Sequence, residues 1–94
     1  MNPEIAARLQ ALHIECFATE KGYTLYTREN CAAIGHGASL GSSGMMTDTG
    51  LAFLTWREGR AYFAAHGGGE SPAAPEQVET LRRFSDDLKA ALNP

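Results

Sequence analysis

The sequence predicts an α+β fold of two layers, in which a helix at each end of the chain flanks a four-stranded antiparallel sheet. Apolar residues recur at helical spacing near both ends, and β-rich runs separated by short turns lie between them. Apolar residues make up 44% of the chain and charged residues 20%, a composition typical of globular proteins. We expect the element order α-β-β-β-β-α. The length of 94 residues indicates a single domain, 1–94.

The first helix is predicted from about Pro3 to Glu20. Asn2 is a favourable N-cap, and proline is tolerated at the first helical position because its missing N–H would have no partner there. Gly22 is a typical stop after the last turn. One apolar stripe follows this helix, made of Ile5, Leu9, Leu12 and Cys16.

The last helix is predicted from about Pro75 to Leu92. Glu76 lies near its start and Lys89 near its end, the arrangement that the helix dipole favours. Its apolar stripe consists of Val78, Leu81, Phe84, Leu88 and Leu92.

Two hairpins are predicted between the helices, with strands at 23–28, 31–36, 51–57 and 60–66. The first hairpin turns at Glu29-Asn30 and the second at Glu58-Gly59. Glycine supplies the positive φ that a two-residue hairpin turn requires. The register of the second hairpin is therefore the better defined, and the way the two hairpins join into a sheet is left open.

The segment 37–50 is rich in glycine and serine, and we expect a flexible loop there. A short extra helix or strand within this segment is the alternative. Such a loop can offer backbone amides to an anion, but this one has no lysine and no P-loop pattern. A small-ligand or anion-binding protein, with a possible enzymatic role, is the alternative function. Its candidate ligand residues in the loop are Ser39, Ser42, Ser43 and Asp48.

The alternation of side chains in the second hairpin separates two faces. One face is wholly apolar and should lie beneath the helices; it carries Ala52, Leu54, Trp56, Ala61, Phe63 and Ala65. In the first hairpin we expect Tyr23, Leu25, Ala32 and Ile34 on that same side.

The opposite face mixes aromatic residues with arginine, the residue types in which the cores of protein interfaces are enriched. The residues predicted for it are Tyr26, Arg28, Phe53, Thr55, Arg57, Arg60 and Tyr62. We expect a non-enzymatic binding module that forms a homodimer or binds another protein through this face. Helices on opposite faces, or a long loop over the sheet, would remove the open face.

Histidine and cysteine occur at ligand-like spacing in two pairs, His13 with Cys16 and Cys31 with His36. However, Cys16 belongs to an apolar stripe, and Cys31 and His36 point to opposite faces of their predicted strand. A pairing of Cys31 with a histidine would make a nucleophile, but no known local signature surrounds it. We therefore expect no metal, no cofactor and no catalytic residue.

Charge and composition exclude several classes of function. The net charge of −3 disfavours binding to nucleic acid, which depends on neutralising phosphates, and docking on anionic lipid. No apolar run approaches the roughly 20 residues of a membrane span, and no secretory signal is recognisable. With only two cysteines, no disulfide framework is indicated, and we expect a cytoplasmic protein.

Overall fold

The computed structural model describes residues 2–36, 39–48, 50–65 and 67–93. Helix α1 spans Pro3–Ala11 and helix α2 spans Pro75–Leu92. Between them lie β1 (Glu15–Ala18), β2 (Thr24–Arg28), β3 (Cys31–His36), β4 (Ser39–Thr47), β5 (Gly50–Arg57), β6 (Arg60–Ala65) and β7 (Glu70–Pro72). All seven strands form one antiparallel sheet in chain order. The α+β class with a helix first and last is confirmed, but the predicted number of four strands is wrong.

Helix α1 begins as predicted and ends much earlier. The side chain of Asn2 accepts a hydrogen bond of 2.7 Å from the backbone N–H of Glu4, which satisfies one N-terminal donor. His13 then adopts a left-handed φ of 59°, and the chain turns into β1. Phe17 pairs with Leu25 across the β1–β2 ladder. The predicted helical continuation to Glu20 is wrong because this pairing outweighs a helical preference that is weak in β-branched and aromatic residues.

The predicted flexible loop 37–50 is wrong for the residues that the structure describes, because most of them form β4 (Gly37, Ala38 and Thr49 lie outside those residues). Gly44 permits close packing of β4 against β5, since a methyl group at this position would overlap the carbonyl oxygen of Ala52. Met45 points into the core. Glycine in this segment therefore allows close approach of two backbones.

Strand β7 is the third strand that the sequence did not predict, after β1 and β4. It is only three residues long, too short for a recognisable alternation. Pro72 pairs with Tyr62 at the edge of the sheet, where a residue without an N–H is tolerated.

The core lies between one face of the sheet and both helices. Leu9 of α1 and Phe84 of α2 are 2% and 0% exposed. The sheet residues in the same cluster are Tyr26, Cys31, Ala33, Ala52 and Phe63. The strand registers place all of them on one side of the sheet, which we call the covered face.

The face assignment of the first hairpin is wrong. In the second hairpin the two faces separate as predicted, but Trp56 is 63% exposed and is not covered by the helices. Tyr26 and Arg28 lie on the covered face, and Leu25 and Ile34 point away from the helices. The run from Thr24 to Arg28 carries an apolar side chain on each face, so alternation alone does not decide which face is buried.

Neither helix of the described chain is long and apolar enough to cross a membrane.

Candidate interaction face

We call the side of the sheet opposite the helices the open face. The strand registers align one row of residues across it: Glu15, Thr27, Ala32, Gly44, Phe53, Ala64 and Glu70. We call this the central row. Its two carboxylates occupy the edge strands, and the five residues between them are uncharged. The middle of the open face is therefore apolar and its lateral rims are polar.

One corner of the open face is an apolar hollow. Leu25 pairs with both Phe17 and Ile34, so these three side chains line up on β1, β2 and β3. The hollow has a volume of about 540 Å³. Tyr23 forms one wall, and its ring lies 5.0 Å from that of His36. Phe17 is 49% exposed and Tyr23 is 42% exposed.

At the other corner of the open face, the side chain of Arg57 contacts the ring of Tyr62. The Arg57 guanidinium lies 4.6 Å from the centroid of the Tyr62 ring, and its Nη1 donates to Oε1 of Glu70 at 3.0 Å. Arg57 pairs with Arg60 across the hairpin, an arrangement that is unfavourable for like charges. The contact with Glu70 offsets that repulsion and fixes the orientation of the guanidinium over the ring.

Next to the central row, Met46 of β4 and Leu51 of β5 pair directly on the open face. Met46 is 48% exposed. Ala32 of the central row has no exposed surface, because its small side chain sits between neighbours on adjacent strands.

The structure separates the residues that the sequence assigned to an interface. Those on the open face are Phe53, Thr55, Arg57, Arg60 and Tyr62. Tyr26 is only 5% exposed, and its pKa is raised by burial and by the nearby Cys16 thiol, while a hydrogen bond with Thr24 acts in the opposite direction. Arg28 contacts Asp87 of α2. The placement of Tyr26 and Arg28 on the open face was therefore wrong.

The predicted ligand residues of the glycine-serine segment do not converge. Ser39 begins β4 and Asp48 follows its end, so the nine residues of the strand separate them by roughly 30 Å. The hydroxyl of Ser43 lies 3.2 Å from that of Ser85 on α2, which links sheet and helix. Ser42 is exposed on the strand. The described part of this segment therefore builds the sheet.

The histidine and cysteine pairs are also dispersed. His13 lies in the turn after α1, and His36 contacts Tyr23 on the open face with the two rings tilted by 47°. Cys31 is 1% exposed on the covered face, and Cys16 is exposed on β1. Among the described residues, no three His, Cys, Asp or Glu side chains form a group that could hold a metal ion.

Burial raises the pKa of the Cys31 thiol, with Arg28 opposing the rise and Glu29 adding to it. A nucleophilic cysteine needs the thiolate, which a raised pKa disfavours. His66, the third histidine of the chain, lies outside the described residues.

Several open-face residues were missed in the sequence: Phe17, Tyr23, Leu25, Ile34 and Met46. Phe17 and Met46 belong to segments predicted as helix and loop, so no strand alternation was sought there. For Leu25 and Ile34, the alternation of side chains did indicate a common face, but that face was predicted to lie beneath the helices.

Comparison with known proteins finds no matching protein-family model, no matching curated protein and no matching solved structure.

Proposed function

We propose that this chain is a non-enzymatic interaction module that binds a protein partner through the open face, and that a second copy of the chain is the first partner to test. The observation that carries the proposal is the presence of three exposed large apolar residues on this face, Phe17, Tyr23 and Met46. Both helices lie on the other side of the sheet. An apolar surface of this kind marks interaction sites in monomers.

The size of the open face suits a dimer. Seven strands spaced by about 4.8 Å, each contributing about six residues at ~3.3 Å, give roughly 30 by 20 Å, or roughly 600 Å² in projection. Side-chain relief enlarges the accessible area toward the roughly 800 Å² per partner of a standard interface. The face can therefore supply a complete interface without help from the helices.

The distribution of residue types also favours this proposal. Protein interfaces combine an apolar, uncharged centre with a polar rim, and they are enriched in aromatic residues and arginine. The centre of the open face contains Ala32, Gly44 and Phe53, while Glu15 and Glu70 lie on its edge strands. Tyr62 is held in place by Arg57 before any partner arrives, which lowers the entropy cost of ordering it on binding.

We further propose a cytoplasmic location, in keeping with a chain whose two cysteines do not make a disulfide framework.

The test is light scattering coupled to size exclusion over a wide concentration range. We expect the wild-type protein to show a dimer mass that falls on dilution. Tyr62→Arg should remain folded and become monomeric because it places an extra charge in the interface. Thr80→Arg, on the exposed outer surface of α2, is the matched control and should still dimerise. A wild-type mass equal to one chain at every concentration would refute self-association.

A further inference from the structure

The geometry points to a specific dimer, and this inference rests on the proposed function: two copies pack open face to open face about a two-fold axis parallel to β4. That axis places Tyr62 of each copy in the hollow around Leu25 of the other. The same contact therefore occurs twice.

The position of β4 in the sheet defines the axis. In the strand order β1 to β7, β4 is the central strand. Strands β2 and β6 are both two positions from it, or roughly 10 Å at the usual spacing. Rotation by half a turn about an axis along β4 therefore lays β2 of one copy over β6 of the other.

The two side chains also lie at the same height on the sheet. The central row includes Thr27 of β2 and Ala64 of β6. Leu25 is two residues before Thr27, and Tyr62 is two residues before Ala64. Because neighbouring strands are all antiparallel, β2 and β6 run in the same direction. Both side chains are therefore displaced from the row by the same distance toward the same end.

The twist of the sheet does not spoil this match. A regularly twisted sheet is a saddle-shaped surface, and half a turn about its central strand superposes that surface on itself. Two copies related by a parallel axis midway between them keep an even separation wherever the strand pairing is regular. The β3–β4 ladder has a register shift between Ala33 and Gly35, so the contact extends over the regularly paired part of the open face.

The two corners are chemically complementary. The hollow is bounded by Tyr23, Leu25 and Ile34, an apolar surface suited to an aromatic ring. Glu20 lies at the rim of the hollow beside Lys21. Arg60 lies two residues before Tyr62 on β6, so it faces the rim formed by Glu20 and Lys21 when the ring enters.

A two-fold axis perpendicular to the strands makes a poorer match. It would lay β2 of one copy over β2 of the other, end to end. Leu25 would then face the end of the strand that carries the charged turn residue Glu29. Apolar surface would meet charge there, and both Tyr62 side chains would lie outside the hollow.

Complementary charge variants distinguish these arrangements. We expect Leu25→Arg and Tyr62→Asp each to weaken self-association by roughly 100-fold or more, because each places a charge twice in a desolvated contact. Mixing the two variants should restore a dimer with one copy of each. Such a heterodimer contains one wild-type contact between Leu25 and Tyr62 and one new pair of opposite charges.

The control mixture combines Leu25→Arg with Tyr62→Arg and should stay monomeric, since its second contact joins like charges. Native mass spectrometry gives the composition of each species, and circular dichroism checks the fold. If Leu25→Arg proves unstable, Ile34→Lys replaces it in the same hollow.

The outcomes separate the two proposals. Single variants that still dimerise would refute the open face as the interface, and with it the proposed function. Single variants that are monomeric and stay so when mixed would overturn the axis along β4 and leave the open face as the interface. A 1:1 heterodimer only in the opposite-charge mixture is the expected result.

Discussion

Arg28 and Asp87 form an ion pair of 2.9 Å between Nη1 and Oδ2, which joins strand β2 to helix α2. The same nitrogen donates to the carbonyl oxygen of Leu12 at 3.1 Å. The guanidinium also lies 5.7 Å from the centroid of the Phe84 ring. One arginine on the covered face thus links the sheet, the end of α1 and the centre of the core.

This arrangement predicts a role in stability for Arg28. Arg28→Ala should lower the free energy of unfolding by about 2 kcal/mol, since it removes charge-assisted hydrogen bonds and a cation–π contact. Asp87→Asn should cost about 1 kcal/mol, because the Asp87 side chain is 42% exposed and water screens the pair. Urea unfolding measures both changes.

Arg82 supplies the control for this experiment. It contacts Glu79 and Asp86 on the exposed surface of α2, and Arg82→Ala should leave stability almost unchanged because water screens these pairs. An equally small effect of Arg28→Ala would contradict its placement beneath the helices.

Gly44 provides a second prediction. A methyl group there would overlap the backbone of Ala52, so Gly44→Ala should separate β4 from β5 and lower stability by roughly 2 kcal/mol or more. Gly69 has no atom within 4 Å of the corresponding position, and Gly69→Ala should be close to neutral. Equal unfolding midpoints for the two variants in urea would argue against close packing at Gly44.

The sequence predicted those elements whose local signals agree with their tertiary environment. Helix α2 spans Pro75–Leu92 as expected, because its apolar stripe, its initial proline and its charge polarity all favour the same helix. The second hairpin also formed in the expected register, with Arg57 paired to Arg60. Gly59 has a φ of 76° in its turn.

The sequence failed where one pattern fits two structures. Cys16 continues the helical spacing of α1, yet it lies on β1 and pairs with Tyr26. The glycines of β4 resemble those of a flexible loop, while Gly44 allows two strands to approach. Such choices depend on strand partners distant in the chain, which local propensity does not contain.

The candidate site was predicted in part for the same reason. Phe53 and Tyr62 were assigned to the open face because the turn at Glu58-Gly59 fixed their register. Phe17 was missed because its segment was predicted to be helical, whereas it forms strand β1. Tyr26 was placed on the wrong side because apolar residues occupy both faces of β2.

Two phenylalanines on neighbouring strands should separate folding from association. Phe63 is 7% exposed in the core, and Phe63→Ala should destabilise the protein by roughly 3–5 kcal/mol. Phe53 lies half-buried on the open face, so Phe53→Ala should cost less stability and weaken self-association more. Urea unfolding and light scattering on both variants measure the two effects. A larger loss of stability for Phe53→Ala would mean that the two faces of this hairpin are reversed.

The buried thiol of Cys31 should make the protein less stable at alkaline pH. Burial raises the pKa of this thiol in the folded state, while in the unfolded chain it ionises near its ordinary value of roughly 8.5. Stability is therefore fully present below about pH 8.5, and it falls as the pH rises toward the folded pKa, because only the unfolded chain then releases the proton. The raised pKa of Tyr26 adds a similar loss above about pH 10.

Cys31→Ala should be less stable at neutral pH and should lose less of that stability between about pH 7.5 and 9.5. Urea unfolding across this range measures the slope, and parallel curves for the two proteins would show that Cys31 is not the titrating group.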